Sequence, residues 1–439
     1  MRERTGTLFA PPDSESQARI KDHTWLATRS IVTRVIGILP PGLHLAAVTL
    51  GLAGVAAAWG AYLSRSGHVL QGDLSYPLIL DAVLGEILAL RTNQGAASLQ
   101  FLSLLPVYAL GVGLTTLLGG GSSDLFRTLV FLQPLAAFTS MYCAVQLLWR
   151  WGDDETSGAC SRRILAGLLA GWLFALNPWA VARVEHLGLL LGWSATPIAL
   201  GFLAESLRSG RLRWAVAAGI VTALFVGASP HYLLYMAVVM LLGVVAFLGC
   251  RGSFQIASRT LVVFGAVFVG LFAYVLVPNL AAIASGDGSL TADTSDLKML
   301  LRAQSPLNSL LLTSNFARHH LARPDDATLL AWTVTGLIFP LALAASPFQR
   351  HGPRGVSILA LMVGLGAWLV LVLSGISSPV PLYEWLVSLP FGRLFREPDK
   401  LAGILALSLA WGIGIAAANL APGNRFRNFS RWLPRIGIH

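Results

Sequence analysis

The chain has 439 residues, 55% of them hydrophobic and 12% charged, with a formal net charge of +10 and a mean hydropathy of +0.67. Soluble domains carry roughly 25% charged residues, so the composition excludes an ordinary soluble globule and points to an all-α polytopic membrane protein. Its spans are helices because backbone facing lipid must satisfy its own hydrogen bonds, and the alternating short strands of a membrane barrel are absent from the sequence.

Residues 1–40 are polar, basic and Pro-containing, and lack the small-residue cleavage pattern of a signal peptide. They read as a cytoplasmic tail with an interfacial helix over 24–38. A transmembrane module follows over 41–420, and 421–439 form a second basic cytoplasmic tail. Ten spans are predicted, at 44–63, 128–149, 163–178, 188–206, 214–229, 232–249, 259–280, 328–346, 356–375 and 400–419. The run 98–120 is apolar enough to be an eleventh. If it spans, basic loops such as RSGRLR (208–213) and CRGSFQIASR (250–259) turn outward. Positive residues are normally retained in short cytoplasmic loops, so 98–120 is read as non-spanning.

That choice gathers the long polar segments on one face. The outer loops are then 64–127, 179–187, 281–327 and 376–399, and most of the 31 Lys and Arg lie on the inside. Basic residues distributed this way report orientation in a plasma membrane, so nucleic acid is not an expected partner. Cys143, Cys160 and Cys250 imply no disulfide framework. Ionisable residues inside the spans are few, His44 and Glu205 near span ends, which counts against ion-coupled transport.

Candidate chemistry sits at the outer span boundaries, where ionisable groups are expensive and functional by default. In the first outer loop, Asp73 lies in GDLSYP, where Gly72 permits a tight turn. Pro77 opens a short apolar helix over 78–90 that carries Asp81 and Glu86 and reads as interfacial. Asp73 is either a functional acid or a solvated helix cap. In ALNPWAVARVEHLGLLLGW (175–193), Asn177-Pro178 breaks the third span and Arg183, Glu185 and His186 follow. Arg presents fixed donors suited to phosphate, and His titrates near neutrality. The group reads as an anion clamp with an acid–base or metal-ligand partner, or as local pairing at a headgroup boundary. His231, in GASPHYLLY, is an accessory candidate or a structural hydrogen-bonder. In LPFGRLFREPDKLAG (389–403), Arg393, Arg396, Glu397 and Lys400 lead into the last span. Positive charge on this face is unusual, and phosphate binding accounts for it. His319-His320 is a weak metal signal, and no Walker loop or nucleophile elbow appears.

The order of these pieces resembles the GT-C superfamily of membrane glycosyltransferases. LLAGWLFALNPWAVARVEHLGLLLG looks like the third span and second outer loop of oligosaccharyltransferase catalytic subunits and of uncharacterised prokaryotic GT-C proteins. SPLNSLLLTSNF and LPFGRLFREPDK resemble later segments of those proteins, and arabinofuranosyltransferases share parts of the layout. The likeness covers about residues 40–420 and implies a GT-C-like helical bundle with interfacial helices in the first outer loop. It implies transfer of a sugar, hexose or pentose, from a polyprenyl-phosphate donor to a glycan, lipid or protein acceptor on the extracytoplasmic face.

Carried over by position, the resemblance makes Asp73 the first-loop acid, a general base or a ligand to Mg2+ or Mn2+. Glu185 and His186 fall in the catalytic second-loop cluster; Arg183, Arg396 and Lys400 fall to the donor phosphate; Glu397 is accessory. The paired Asp-Asp of many members is missing beside Asp73, and a single Asp serves as a base but is thin for a divalent site. Two other classes remain at this point: a catalytically inactive GT-C-like lipid-binding scaffold, and a transporter or flippase of lipid-linked saccharides. The second would call for broken helices in related halves, and the sequence shows no internal repeat.

Overall fold

The computed structural model describes residues 41–63, 82–85, 99–152, 159–183, 186–250, 252–284, 310, 312, 338–349, 352–375 and 398–420. All regular structure among them is helical. Two compact units divide the chain, Met1–Ala47 and Val48–His439. The described part of the first is the opening of helix α1 (Pro41–Leu63).

The second unit is the helical bundle. After a 3-10 segment (Leu99–Leu104) come α2 (Leu105–Leu117), α3 (Ser122–Leu148), α4 (Ala159–Ala175), α5 (Pro178–Ala182) and α6 (Leu187–Ser209). They are followed by α7 (Leu212–Leu224), α8 (Pro230–Gly249), α9 (Phe254–Ala284), α10 (Ile338–Phe348), α11 (Arg354–Gly375) and α12 (Ala402–Leu420). Among the described residues, eight helices are long and apolar enough to cross a membrane. Each coincides with an apolar run expected to span.

The other two expected spans coincide with shorter apolar helices, Leu212–Ala228 and Ile338–Phe348. The run 214–229 is a 13-residue helix, α7, that ends at Leu224 and passes into a 3-10 turn, Val226–Ala228. The turn forms because Ser229-Pro230 starts the next helix: Ser229 Oγ accepts from the Tyr232 N–H, and Pro230 occupies the first helical position, where its missing donor is harmless. Of 328–346, only 338–346 lies within the described residues. The run 98–120 is divided between the 3-10 segment and α2, which ends in a turn with Gly119 at φ 70°. Residues 82–85 of the expected interfacial helix 78–90 are described, and they are helical. The loops 64–81 and 285–309, and both tails, lie outside the described residues.

Burial separates a centre from a rim. The window of α12 is 72% buried and those of α3 and α6 61%, against 22% for α8, α9 and α11. The rim helices turn side chains such as Val238, Leu241 and Val245 outward, as lipid-facing helices do. Lipid supplies no hydrophobic drive for helix association, so central helices rely on close backbone approach at small residues. A Cβ on Gly414 would lie 2.6 Å from the Ala166 carbonyl oxygen, and one on Gly412 2.5 Å from the Leu343 Cα. These two glycines let α12 seat against α4 and α10.

The helices run alternately up and down, so span boundaries collect at two ends. One end holds the α4–α6 connection, the start of α8 and the start of α12. The other holds Trp149–Gly152, the α6–α7 turn at Gly210, and the starts of α9 and α11. Contacts across each end confirm the grouping. At the first end, the Trp179 indole donates to the Asp399 carbonyl oxygen (2.9 Å). At the other, a Cβ on Gly152 would lie 3.0 Å from the Gly352 carbonyl carbon.

Candidate functional site

The first end is built around the Asn-Pro break. The Asn177 amide donates to the Phe174 carbonyl at 2.6 Å, while its oxygen accepts from the Ala180 N–H at 3.0 Å. One side chain therefore closes α4 and caps α5, which explains why Asn precedes Pro here. A single turn of α5 delivers Arg183, whose N–H bonds back to Ala180 (3.2 Å), and the His186 N–H returns to the Arg183 carbonyl (2.8 Å) before α6 begins. The Gln133 amide fixes the start of α6 by donating to the Leu187 carbonyl (3.2 Å).

Three aromatic donors then grip the entry to α12, the 3-10 turn Pro398–Leu401 and its continuation. Trp179 donates to the carbonyl of Asp399, the Tyr232 hydroxyl to that of Lys400 (3.1 Å), and Trp193 to that of Gly403 (3.2 Å). Indole N–H and phenol O–H groups need partners when buried, and backbone carbonyls supply them. The rings pack on one another, with Phe174–Trp193 centroids 4.1 Å apart and Trp179–Trp193 5.5 Å apart. Gly403 sits inside this cage. A Cβ there would run into the Tyr232 hydroxyl and lie 2.9 Å from both tryptophans, so no larger residue fits.

The clamp sets five charged or titratable groups against each other. The Arg183 guanidinium pairs with the Asp399 carboxylate, both almost fully buried. Arg183 Nη1 lies 3.5 Å from His186 Nε2, and Lys400 Nζ 3.2 Å from His231 Nε2. Arginine and the lysine ammonium have only donors, so a hydrogen bond at either contact uses the histidine Nε2 as acceptor. Among the described residues the cluster holds two cations, Arg183 and Lys400, against one carboxylate, Asp399.

Of the residues expected from sequence, Arg183, His186, His231 and Lys400 come together. Asp73, Glu185, Arg396 and Glu397 lie outside the described residues. Among the described residues no three His, Cys, Asp or Glu side chains are grouped as a metal site. Of the acids open to a metal role, Asp73 and Glu185 are not among them. The sequence reading passed over Asp399, Trp179, Trp193 and Tyr232. A signal for Asp399 existed: Arg183 at a span boundary calls for a carboxylate, and REPDK offers Asp399 beside the Lys already singled out.

Known proteins bear on this arrangement through structure alone. No family model matches the sequence, and no curated protein matches it. The cryo-EM structure of arabinofuranosyltransferase AftD from Mycobacteria, a GT-C enzyme, is similar over 90% of this chain, with a TM-score of 0.54 and 19% identity. The chain spans about a quarter of that protein, 26% of its length. The fold is thus GT-C-like, as the resemblance of the span-boundary motifs implied.

Proposed function

We propose that the chain is an integral-membrane glycosyltransferase that uses a polyprenyl-phosphate-linked sugar on the extracytoplasmic face. The observation that supports this reading most is the meeting of Arg183, His186, His231 and Lys400 at one end of a GT-C-like bundle. In the proposed reaction the acceptor hydroxyl attacks the anomeric carbon and passes its proton to Asp73 as the new C–O bond forms. The bond from the anomeric carbon to phosphate oxygen breaks, and polyprenyl phosphate departs with the electron pair.

Lys400 is the group best suited to the charge growing on that phosphate. Its ammonium meets His231, and its carbonyl is held by Tyr232, so its position is fixed before substrate arrives. Arg183 already has Asp399 as a counter-ion. It serves the phosphate by keeping the loop end in place and adding to the field, and Arg396 is the further cation assigned to this role. Glu185 and His186 complete the acid–base set. Both termini are placed in the cytoplasm, which leaves the basic end of the bundle facing inward.

The test is transfer from a panel of polyprenyl-phosphate pentoses and hexoses by the purified, reconstituted chain. Asp73→Asn and Lys400→Met should each lower turnover by about 100-fold or more, the range of a lost general base or oxyanion donor. Donor still binds Asp73→Asn. Full activity in Asp73→Asn removes that residue from the mechanism. Donor binding without transfer by the unmodified chain selects the scaffold reading instead.

A further inference from the structure

Lys400 Nζ and His231 Nε2 meet at 3.2 Å, which sets a ring of the kind that titrates near neutrality against an ammonium. Their surroundings differ. Lys400 is 9% exposed, whereas His231 is half-buried, so water reaches the ring more readily than the ammonium. Neither group is free to drift. The Lys400 carbonyl is held by the Tyr232 hydroxyl, and His231 is the second residue of α8, just past the Ser229 cap and Pro230.

Among the described residues, the charged and titratable groups around this pair come from three places. The 3-10 turn that carries Lys400 also carries Asp399, which pairs with Arg183 from the end of α5. Arg183 in turn touches His186, at the entry to α6. On α8 itself, Tyr232 is committed to the Lys400 carbonyl and packs edge-on against Tyr235, with centroids 5.7 Å apart. The helices packed against α8 bring no further charge to this end: 187–204 of α6, 260–284 of α9 and 355–375 of α11 contain no Asp, Glu, Lys, Arg or His.

The ammonium and a proton compete for one lone pair. A proton on His231 Nε2 ends the hydrogen bond and sets two like charges 3.2 Å apart. It also adds a cation at a helix N-terminus, where the dipole favours anions. A bound anion reverses each of these costs. Beside a phosphate oxygen, imidazolium and ammonium become two donors to one acceptor group, and both bonds are charge-assisted. An opposite charge within about 4–6 Å favours the charged form of a titratable group. We propose that His231 is a phosphate ligand recruited by a proton, an inference that rests on the phosphate reading of this site. A prenyl phosphodiester entering beside Lys400 draws one proton from water onto His231 Nε2, and the two cations then hold it together. The same proton serves the transfer step, because the phosphate gains a second negative charge as its bond to the anomeric carbon breaks.

The probe is farnesyl methyl phosphate, a prenyl phosphodiester whose single charge is constant over the range in which histidine titrates, about pH 6 to 8. Any pH dependence of its binding therefore belongs to the protein. Titration calorimetry on the full chain in detergent, in two buffers of different ionisation heat, reads affinity and proton uptake together. Affinity should rise by about tenfold from pH 8 to pH 6, since a neighbouring opposite charge moves a group's titration by roughly 1–3 pH units. Binding near the middle of that range should take up a proton. His231→Gln keeps an acceptor for the Lys400 ammonium but cannot titrate, so it should bind the diester equally at both ends of the range and without proton uptake. Farnesol, the same chain without the anion, should bind the unmodified protein independently of pH. Equal diester affinity at the two pH values, binding without proton uptake, or a pH dependence that survives in His231→Gln or with farnesol would each overturn the proposal while leaving Lys400 as the phosphate's cation. Failure of the diester to bind at any pH would remove the phosphate reading itself, and the proposal with it.

Discussion

Both ends of the bundle hold an arginine against a buried carboxylate, and the two pairs do different jobs. At the basic end Arg208 grips Glu205 with two bonds of 2.8 Å, but the partners are three residues apart on one helix and the Arg side chain is 37% exposed. The pair decorates a helix that would exist without it. At the other end Arg183 and Asp399 are 1% and 8% exposed, and they join the α5 turn to the entry of α12. The same chemistry is local in one place, with water reaching its arginine, and dry and long-range in the other. Screening and side-chain entropy reduce the first to little. In the second, each charge depends on its partner because water cannot replace it.

The largest effect that this contrast predicts is from removing one member of the dry pair. Asp399→Ala should lower stability by about 3–5 kcal/mol, the penalty for an uncompensated buried charge, measured by denaturant unfolding in detergent. The double variant Arg183→Met/Asp399→Leu should regain most of that loss, because a buried ion pair is often replaceable by apolar side chains. If the double variant is as unstable as the single one, the pair is not what holds these elements, and the aromatic clamp is. The clamp has its own test. Gly403→Ala forces a methyl among Tyr232, Trp179 and Trp193, and should lose about 1–3 kcal/mol through overpacking. Adding Tyr232→Phe removes the oxygen that collides first and should recover part of the loss, although it gives up the bond to the Lys400 carbonyl. A neutral Gly403→Ala would mean that α12 enters the bundle with room to spare.

Much of this was legible in the sequence, and the illegible part has a common cause. Apolar runs announce spans one at a time, because each helix must be long and greasy by itself. Ionisable residues at span ends are equally local signals, and Arg183, His186, His231 and Lys400 stood out that way. The run 214–229 reads from sequence as one apolar helix, and apolarity does not register that its last turn, 226–228, is 3-10; the Ser229-Pro230 start of the next helix is what ends it. Asp399 was missed because its meaning lies in tertiary structure. Its carbonyl receives the Trp179 indole from 220 residues away, and nothing in REPDK distinguishes an acid that pairs with Arg183 from one in solvent. The same holds for Trp179 and Trp193, which look like ordinary boundary aromatics until the carbonyls they reach are known.

The smallest effect should come from the wet pair. Arg208→Ala removes two bonds to Glu205, yet the expected loss is within about 1 kcal/mol. Arg150 is the reason the remaining carboxylate is not stranded: its Nη1 lies 3.7 Å from Glu205 Oε1, with 18% of its side chain exposed. Glu205 itself is 4% exposed in its side chain, so the tolerance should vanish when both arginines go. Arg150→Ala with Arg208→Ala should therefore lose clearly more than the two single losses added together, a coupling readable in a double-mutant cycle. Strict additivity would show that Glu205 reaches water or takes a proton without penalty. The basic end would then be wet throughout, and the division between the two ends sharper than the exposures suggest. A strong effect of Arg208→Ala alone would place Glu205 in the same class as Asp399, and a buried charge network would then pin both ends of the bundle.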